Sequence, residues 1–219
     1  FSPVDKMMLV EIIVGKETSD YALAVAMDYT RKIRKTPIVV NDSRGFYTSR
    51  CFGTYTTEGM ELLRDGVNPI LIENAGKAAG MPVGPLAVHD EVALDLSLKV
   101  MTESVNAGVT RVDEPTYLMV QKMNELGRIG KKAKAGFYDY STDDAGKSQK
   151  TLWPGLAELY PVSENQPDVN EVKTRLLYRQ AIEAVRCFDE NVVRTKLDGD
   201  LGSILAWGFP AYTGGAMQF

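Results

Sequence analysis

The chain opens with two short apolar runs that flank an amphipathic segment. The runs are residues 7–14 and 36–40, and their length and composition predict buried strands. Between them, Thr18 or Ser19 can cap a helix, whose apolar positions recur at helical spacing: Ala22, Val25, Ala26, Tyr29 and Ile33. A strand–helix–strand unit alone leaves sheet edges and a helix face uncovered, so the pattern predicts the end of a larger α/β domain.

After residue 43 the hydrophobic pattern becomes helical. One stripe, made of Phe52, Tyr55, Gly59, Leu62 and Leu63, ends at Asp65-Gly66. Further helices are predicted over about 88–105, 115–127, 171–190 and 199–207. Residues 141–170 are rich in Ser, Asp, Gly, Asn and Pro, and this composition predicts a connector.

Two segments of the chain repeat the same spacing. Arg50 and Glu58 are eight residues apart, as are Arg175 and Glu183, 125 positions later. The glycine–proline turn at residues 80–82 recurs 128 positions later at 208–210. Matched turns at fixed offsets favour duplication of a helical unit, with halves that pack on each other, over a chance likeness of two amphipathic helices.

Composition excludes several classes of function. With 25 Lys and Arg against 29 Asp and Glu, the net charge of −4 gives no basic excess for a nucleic acid or an anionic membrane. No apolar run is long enough to span a bilayer. The two cysteines, Cys51 and Cys187, are too few for a disulfide framework or a metal cage, which indicates a reducing compartment. We therefore expect no metal site, no nucleic-acid partner and no membrane span.

Five motifs follow one another along the chain: FSPVDKMMLVEII, NDSRGFYTSR, DGV with GMPVGP, GRIGKKAKAGFYDY and GFPAYTGG. In this order they resemble the L-3-hydroxyacyl-CoA dehydrogenases, and the duplication is similar to that of bacterial fatty-acid oxidation complex α subunits. The resemblance implies a mainly α fold: a duplicated helical dehydrogenase C-terminal domain behind a remnant strand–helix–strand of a Rossmann domain. The implied ranges are 1–42 for the remnant, 43–140 for the first repeat, 141–170 for the connector and 171–219 for a truncated second repeat.

The same resemblance assigns roles to three residues. Glu11 matches the glutamate that orients the catalytic histidine and stabilises its imidazolium, although a solvent-facing edge-strand glutamate is the alternative. Ser49 stands where the family commonly has a substrate-binding asparagine; its shorter hydroxyl weakens that contact or needs a water, and a serine that serves the helix N-terminus is the alternative. Ser2 matches a position beside the nicotinamide.

Three other features have structural interpretations that we prefer. His89, the only histidine, lies outside the catalytic motif and is interpreted as a structural or solvated helix residue. The cations Arg128, Lys131, Lys132 and Lys134 could attract the phosphates of CoA, but charged loops are usually solvated. The glycines of residues 76–80 follow a helical segment, so they indicate helix packing and a helix end and not a dinucleotide fingerprint.

The resemblance implies that the parent protein oxidises 3-hydroxyacyl-CoA to 3-ketoacyl-CoA with NAD in fatty-acid β-oxidation, in the cytoplasm. The catalytic histidine and the NAD fingerprint would lie before Phe1, so we expect the chain alone to be inactive. Acyl-CoA is the implied substrate, and a thiolase subunit and a homodimer are candidate assemblies. The alternatives are a non-catalytic helical module for acyl-CoA binding or assembly, and another hydroxyacid dehydrogenase with an all-α second domain.

Overall fold

The structure is a computed structural model that describes residues 3–143 and 146–219. Helices account for most of its regular structure, which confirms the predicted mainly α fold. The helices and strands are, in chain order, β1 (Leu9–Val14), α1 (Asp20–Lys32), β2 (Thr36–Asn41), α2 (Thr48–Arg64), α3 (Pro69–Ala78), α4 (Pro85–Val92), α5 (Leu94–Asn106), α6 (Pro115–Glu125), β3 (Tyr138–Thr142), β4 (Ser148–Leu152), α7 (Leu156–Leu159), α8 (Val169–Asp189) and α9 (Lys196–Trp207).

The chain divides into two compact units, each built from segments distant in sequence. The first contains Phe1–Tyr55, Ala79–Pro82 and Leu177–Phe219, and the second contains Thr56–Ala78 and Val83–Leu176. The boundary between them falls within α2 and within α8.

The predicted strand–helix–strand segment is present in the first unit. β1 and β2 pair in parallel, with Leu9 opposite Thr36 and Val14 opposite Asn41. Ser19 caps α1 by accepting a hydrogen bond from the backbone N–H of Ala22 at 3.2 Å. The sequence pattern predicted that one face of α1 is left uncovered, and its apolar positions are indeed largely exposed at Val25, Tyr29 and Ile33. The physical reason is that the described residues put nothing on this face of the helix.

Segments from the end of the chain cover the β1–β2 pair. Val193 forms an antiparallel bridge with Val40 on β2, and the N–H of Asn41 donates to the carbonyl of Val192 at 2.8 Å. Helix α9 packs on both strands. At Gly202 a Cβ atom would lie 2.9 Å from Cδ1 of Ile38, so a side chain at this position would require Ile38 to move.

In the second unit, the helix predicted over residues 88–105 is divided into α4 and α5. The break is at Ala93, whose φ of 81° is incompatible with a continuous right-handed helix. The N–H of Leu94 donates to the carbonyl of Ile129 at 3.0 Å, so tertiary pairing compensates for the interrupted helix. The apolar periodicity continues through this point, which is why the sequence pattern did not predict the break.

The segment predicted to be a connector contains secondary structure. β3 pairs with β4 in an antiparallel hairpin, and α7 follows. Most residues of these strands are half-buried or exposed, and a strand without a buried face does not need alternating apolar residues. The sequence therefore lacks the alternation that would have predicted the hairpin.

Two buried carboxylates organise this second unit. Glu73 accepts hydrogen bonds from the N–H of Leu86 at 2.7 Å and from the hydroxyl of Tyr138 at 2.7 Å, which caps α4. Asp90 accepts from the N–H groups of Phe137 and Tyr138 at 2.8 and 2.9 Å. Burial raises the pKa of both carboxyl groups.

The repeated arginines pair with the acids of the other repeat. Within the first unit, Arg50 lies 2.5 Å from Glu183 and binds Glu190 as well. Within the second unit, Arg175 lies 2.7 Å from Glu58 and 3.3 Å from Asp65. Each partner of Arg50 is 125 positions after the corresponding partner of Arg175, so the two repeats use the same contacts reciprocally.

The glycine–proline turns are reciprocal too. A Cβ atom on Gly80 would lie 3.0 Å from Pro210, and one on Gly208 would lie 2.8 Å from Pro82. Both glycines have a positive φ, of 100° and 74°. Each of them lies just after the end of a helix, where glycine commonly adopts this conformation. The structure therefore gives the two repeats equivalent turns as well as equivalent ion pairs.

Candidate active site

Glu11 lies in the middle of β1, and its carboxylate is fixed by the first residues of α2. Its Oε1 accepts hydrogen bonds from the N–H groups of Tyr47 and Thr48, at 2.9 and 3.1 Å. Its Oε2 accepts from the hydroxyl of Thr48 at 2.7 Å. The N–H groups at the start of a helix have no partner within the helix, so they are available to a carboxylate oxygen.

A tight turn brings the start of α2 to β1. Gly45 and Phe46 adopt positive φ values of 74° and 50°, and the N–H of Phe46 donates to the carbonyl of Ser43 at 2.9 Å. This turn directs the next two N–H groups toward Glu11. The strand and the helix end therefore fix the carboxylate together.

An open cavity of about 410 Å³ lies beside Glu11. Most of its lining is apolar, and Glu11, Lys35 and Ser49 supply the polar groups. The lining residues are Val4, Met7, Leu9, Val10, Glu11, Ile13, Lys35, Phe46 and Ser49. An apolar cavity with a few fixed polar groups is the usual form of a small-molecule site.

The polar groups of this cavity differ in how they are held. The ammonium group of Lys35 donates to the carbonyl oxygens of Val4 and Met7, so it fixes the segment that precedes β1. Ser49 is exposed in the first turn of α2. The structure thus brings Glu11 and Ser49 to one cavity, whereas Ser2 lies outside the described residues.

The segment from β1 to α1 does not resemble the phosphate-binding turn of a dinucleotide fold. The loop between β1 and α1 has one glycine, Gly15, and α1 begins with Asp20, whose charge repels phosphate. The N–H of Ala22 in the first turn is already bonded to Ser19. The candidate functional feature of this part of the chain is therefore the Glu11 carboxylate with the cavity next to it.

His89 is not among the residues that line the cavity. It is buried in the second unit, and its Nε2 has no hydrogen-bond partner among the described residues. Burial lowers its pKa to about 4, which keeps the imidazole neutral at physiological pH. The ring is 6.0 Å from that of Phe137, so the environment of His89 is that of a core residue.

The basic cluster near residue 130 is largely occupied by structural contacts. Arg128 pairs with Asp139 at 2.5 Å, donates to the carbonyl of Gly136 at 2.8 Å, and stacks over Trp153 at 4.0 Å. Lys131 lies 3.4 Å from Glu91. Lys132 and Lys134 are exposed. Arg128 therefore fixes the β3–β4 hairpin, and its guanidinium is already engaged by this unit.

Metal-binding clusters and membrane-spanning helices are both absent from the residues that the structure describes. The described part of the chain contains no cluster of three or more His, Cys, Asp or Glu residues that could hold a metal ion. Of the helices in residues 3–143 and 146–219, none has the length and apolar composition needed to cross a bilayer.

Two protein-family models match the chain. Residues 1–43 match the model described as 3-hydroxyacyl-CoA dehydrogenase, NAD binding domain, and residues 45–140 match the model described as 3-hydroxyacyl-CoA dehydrogenase, C-terminal domain. Together they cover well over half of the chain, and they meet between β2 and α2, next to Glu11's hydrogen-bond donors.

Solved structures with the same fold include dehydrogenases that act on hydroxyacyl-CoA. The dehydrogenase part of multifunctional enzyme 1 from C. elegans is 27% identical with a TM-score of 0.69, over 98% of this chain and 49% of that one. (S)-3-hydroxybutyryl-CoA dehydrogenase from Ralstonia eutropha is 32% identical with a TM-score of 0.55, over 65% and 50%. The 3-hydroxybutyryl-CoA dehydrogenase of Escherichia coli K12, at 20% identity and a TM-score of 0.73 over 96% and 60%, shows the fold alone.

The chain therefore spans about half to three fifths of the length of these relatives. Both family models are parts of one enzyme family, and their order along the chain is that of the NAD-binding domain followed by the helical domain. On this evidence the chain belongs to the 3-hydroxyacyl-CoA dehydrogenase family.

Proposed function

We propose that the chain is part of an NAD-dependent dehydrogenase that oxidises L-3-hydroxyacyl-CoA to 3-ketoacyl-CoA in fatty-acid β-oxidation. The observation that carries the proposal is the Glu11 carboxylate, which three hydrogen bonds fix beside an apolar cavity. In this role Glu11 accepts a hydrogen bond from the imidazole of a histidine located before Phe1. The histidine takes the proton of the 3-hydroxyl group, and Glu11 fixes its tautomer and stabilises the imidazolium.

In this proposal NAD is bound mainly by sequence that precedes Phe1, and the 219-residue chain is inactive alone. Two observations support this arrangement. The β1–α1 loop is unsuited to phosphate, as described above. In addition, β1 pairs only with β2 among the described residues, and the stripe Tyr21, Val25, Tyr29 and Ile33 on α1 is 44–80% exposed. The rest of a parallel sheet and its helices would cover this edge and this stripe.

Ser49 has the role of a substrate contact in this proposal. Its exposure at the cavity leaves its hydroxyl available to acyl-CoA. A serine hydroxyl is shorter than an amide, so a bridging water is the expected form of the contact. Ser2, beside the nicotinamide, completes the set of proposed site residues.

The proposal extends to the parent protein, a cytoplasmic multifunctional enzyme that resembles bacterial fatty-acid oxidation complex α subunits. The reciprocal ion pairs of the two repeats support a duplicated helical domain. A thiolase subunit and a second copy of the chain are the proposed assembly partners. Mixing with a purified thiolase, followed by sedimentation, tests this part separately.

The deciding experiment measures acetoacetyl-CoA-dependent oxidation of NADH. It compares this chain with a longer form that carries a complete NAD-binding domain before Phe1. We expect activity only in the longer form, and a loss of about 100-fold or more in its Glu11→Gln variant. Glu17→Gln, an exposed glutamate in the β1–α1 loop, is the matched control and keeps full activity.

Two results would contradict the proposal. Turnover by the 219-residue chain alone would mean that the base is not located before Phe1. No turnover in either form, together with tight acyl-CoA binding by calorimetry, would favour the alternative, a non-catalytic helical module.

A further inference from the structure

The Glu11 carboxylate depends on one neighbouring side chain as well as on backbone groups. The hydroxyl of Thr48 donates to Oε2 at 2.7 Å, while the N–H groups of Tyr47 and Thr48 both reach Oε1. We propose that Thr48 is a positioning residue, which sets the orientation of Glu11 toward the histidine; this inference rests on the proposed function.

The arrangement of the donors explains why the hydroxyl matters. Two donors on Oε1 fix that oxygen but allow the carboxylate to pivot about it. The third donor, on Oε2, stops this rotation. A carboxylate oxygen has two lone-pair directions, so Oε2 keeps one for an imidazole N–H after the hydroxyl has taken the other.

A helix-capping role does not account for this contact. A capping threonine accepts a hydrogen bond from a backbone N–H of its own helix. The Thr48 hydroxyl instead donates to the side chain of Glu11, 37 residues earlier in the chain. Thr48 is only 2% exposed, so water does not readily replace the contact.

Thr48 is itself fixed through its neighbour, Tyr47. The ring of Tyr47 is fully buried and meets that of Trp207 edge-on, with 5.5 Å between centroids. Its hydroxyl donates to the carbonyl of Gly199 in α9 at 2.9 Å. A Cβ atom on Gly202 would lie 3.0 Å from the Tyr47 ring. Helix α9, which belongs to the second repeat, therefore sets the position of the residues that hold Glu11.

The first test measures NADH oxidation in the longer form with a complete NAD-binding domain. Thr48→Val has the same shape without the hydroxyl, and we expect kcat to fall about tenfold while KM for acetoacetyl-CoA changes less than twofold. Thr48→Ser keeps the hydroxyl and should restore most of kcat. Thr54→Val is the matched control, because the Thr54 hydroxyl donates within α2, to the carbonyl of Cys51 at 2.7 Å.

A double mutant separates an effect of Thr48 through Glu11 from an effect on the protein that does not involve Glu11. If Thr48 acts through Glu11, Thr48→Val causes no further loss in a Glu11→Gln background. An equal tenfold loss in both backgrounds would overturn the inference. If Glu11→Gln alone keeps full activity, the proposed function fails instead.

Amide hydrogen exchange on the 219-residue chain gives an answer that does not depend on activity. We expect Thr48→Val, but not Thr48→Ser, to accelerate exchange at the Tyr47 N–H about tenfold, because the carboxylate that accepts from it becomes mobile. Unchanged exchange at Tyr47 would overturn the inference, whatever the fate of the proposed function.

Discussion

His89 shows how burial alone changes the chemistry of one residue. Its pKa in the folded protein is about 4, whereas an exposed histidine titrates near 6.5. Between these values the unfolded chain binds a proton that the folded protein excludes. Folding stability therefore decreases as the pH falls from about 6.5 toward 4. The raised pKa values of Glu73 and Asp90 act in the opposite direction, because there the folded state binds the extra protons.

Replacing His89 by leucine removes the titrating imidazole. The comparison with wild type therefore separates the contribution of His89 to the pH dependence of stability from those of Glu73 and Asp90. Between pH 7 and pH 5 we expect wild type to lose about 2 kcal/mol of unfolding free energy more than His89→Leu does. Urea denaturation at the two pH values measures this difference. Equal pH dependence in the two proteins would mean that His89 has the same pKa in the folded protein as in the unfolded chain.

At the residue scale, the sequence pointed to Glu11 and Ser49 but not to the residues around Glu11. The resemblance identified Glu11 by its motif. Thr48 is 37 positions away, and nothing in local spacing indicates that its hydroxyl reaches β1. Arg128 is the reverse case. It stands in a basic run that we interpreted as solvated, with phosphate binding as the alternative, whereas its contacts with Asp139 and Trp153 depend on the folded hairpin.

The ion pairs between the two repeats are the contacts with the clearest energetic consequence for an element. The side chain of Glu58 is only 6% exposed, so removing the charge of Arg175 leaves a poorly solvated carboxylate. We expect Arg175→Met to lower the unfolding free energy by about 2 kcal/mol.

Arg111→Met is the matched control for this measurement. The Arg111–Asp113 pair is 80% and 62% exposed, so its loss should leave the unfolding free energy nearly unchanged. Urea denaturation at one pH measures the unfolding free energies of both variants. Equal small effects of the two changes would show that the pair with Glu58 adds nothing beyond a surface contact.

The break between α4 and α5 gives a second prediction at this scale. Ala93 has a φ of 81°, a conformation that is costly for a residue with a Cβ atom. Ala93→Gly should raise the unfolding free energy by about 1 kcal/mol. Ala107→Gly, at a helix end with a φ of −83°, is the control and should not stabilise the protein. A destabilised Ala93→Gly would mean that the residue adopts an ordinary φ.

The helices were predictable where an apolar stripe ended at a turn signal, as at α2 and α8. The hairpin of β3 and β4 was not, because its polar strands are stabilised by Arg128 and Asp90 and not by an apolar face. The division at Ala93 was missed for the same reason: a contact from Ile129, far along the chain, decides it. Local hydrophobic patterns reflect only the preferences of neighbouring residues, whereas the β3–β4 hairpin and the break at Ala93 depend on contacts with distant residues.

For the molecule as a whole, the uncovered surface of the first unit predicts self-association. The α1 stripe is exposed, and among the described residues β1 pairs only with β2, so both surfaces favour contact with another chain. Sedimentation should detect concentration-dependent association of the 219-residue chain. Val25→Glu with Tyr29→Glu should reduce it, whereas Leu96→Glu with Val100→Glu on α5 should not. Equal association of both double variants would exclude the α1 stripe as the contact.

At this scale the sequence indicated two repeats but not how their residues combine. The offsets of 125 and 128 positions are visible in the sequence, and the ion pairs follow them. The compact first unit joins residues 1–55 with 177–219. Its contacts, such as Val40 with Val193, link positions whose sequence neighbourhoods give no sign of each other.

The reciprocal ion pairs also have a consequence for synthesis on the ribosome. Glu183, the partner of Arg50, is synthesised 133 residues after it, and Arg175, the partner of Glu58, is synthesised 117 residues after it. At the usual rate of translation this delay is on the order of ten seconds. Throughout that time Arg50 and Glu58 lack these contacts with the second repeat. The first repeat should therefore reach its full stability only after the second has left the ribosome.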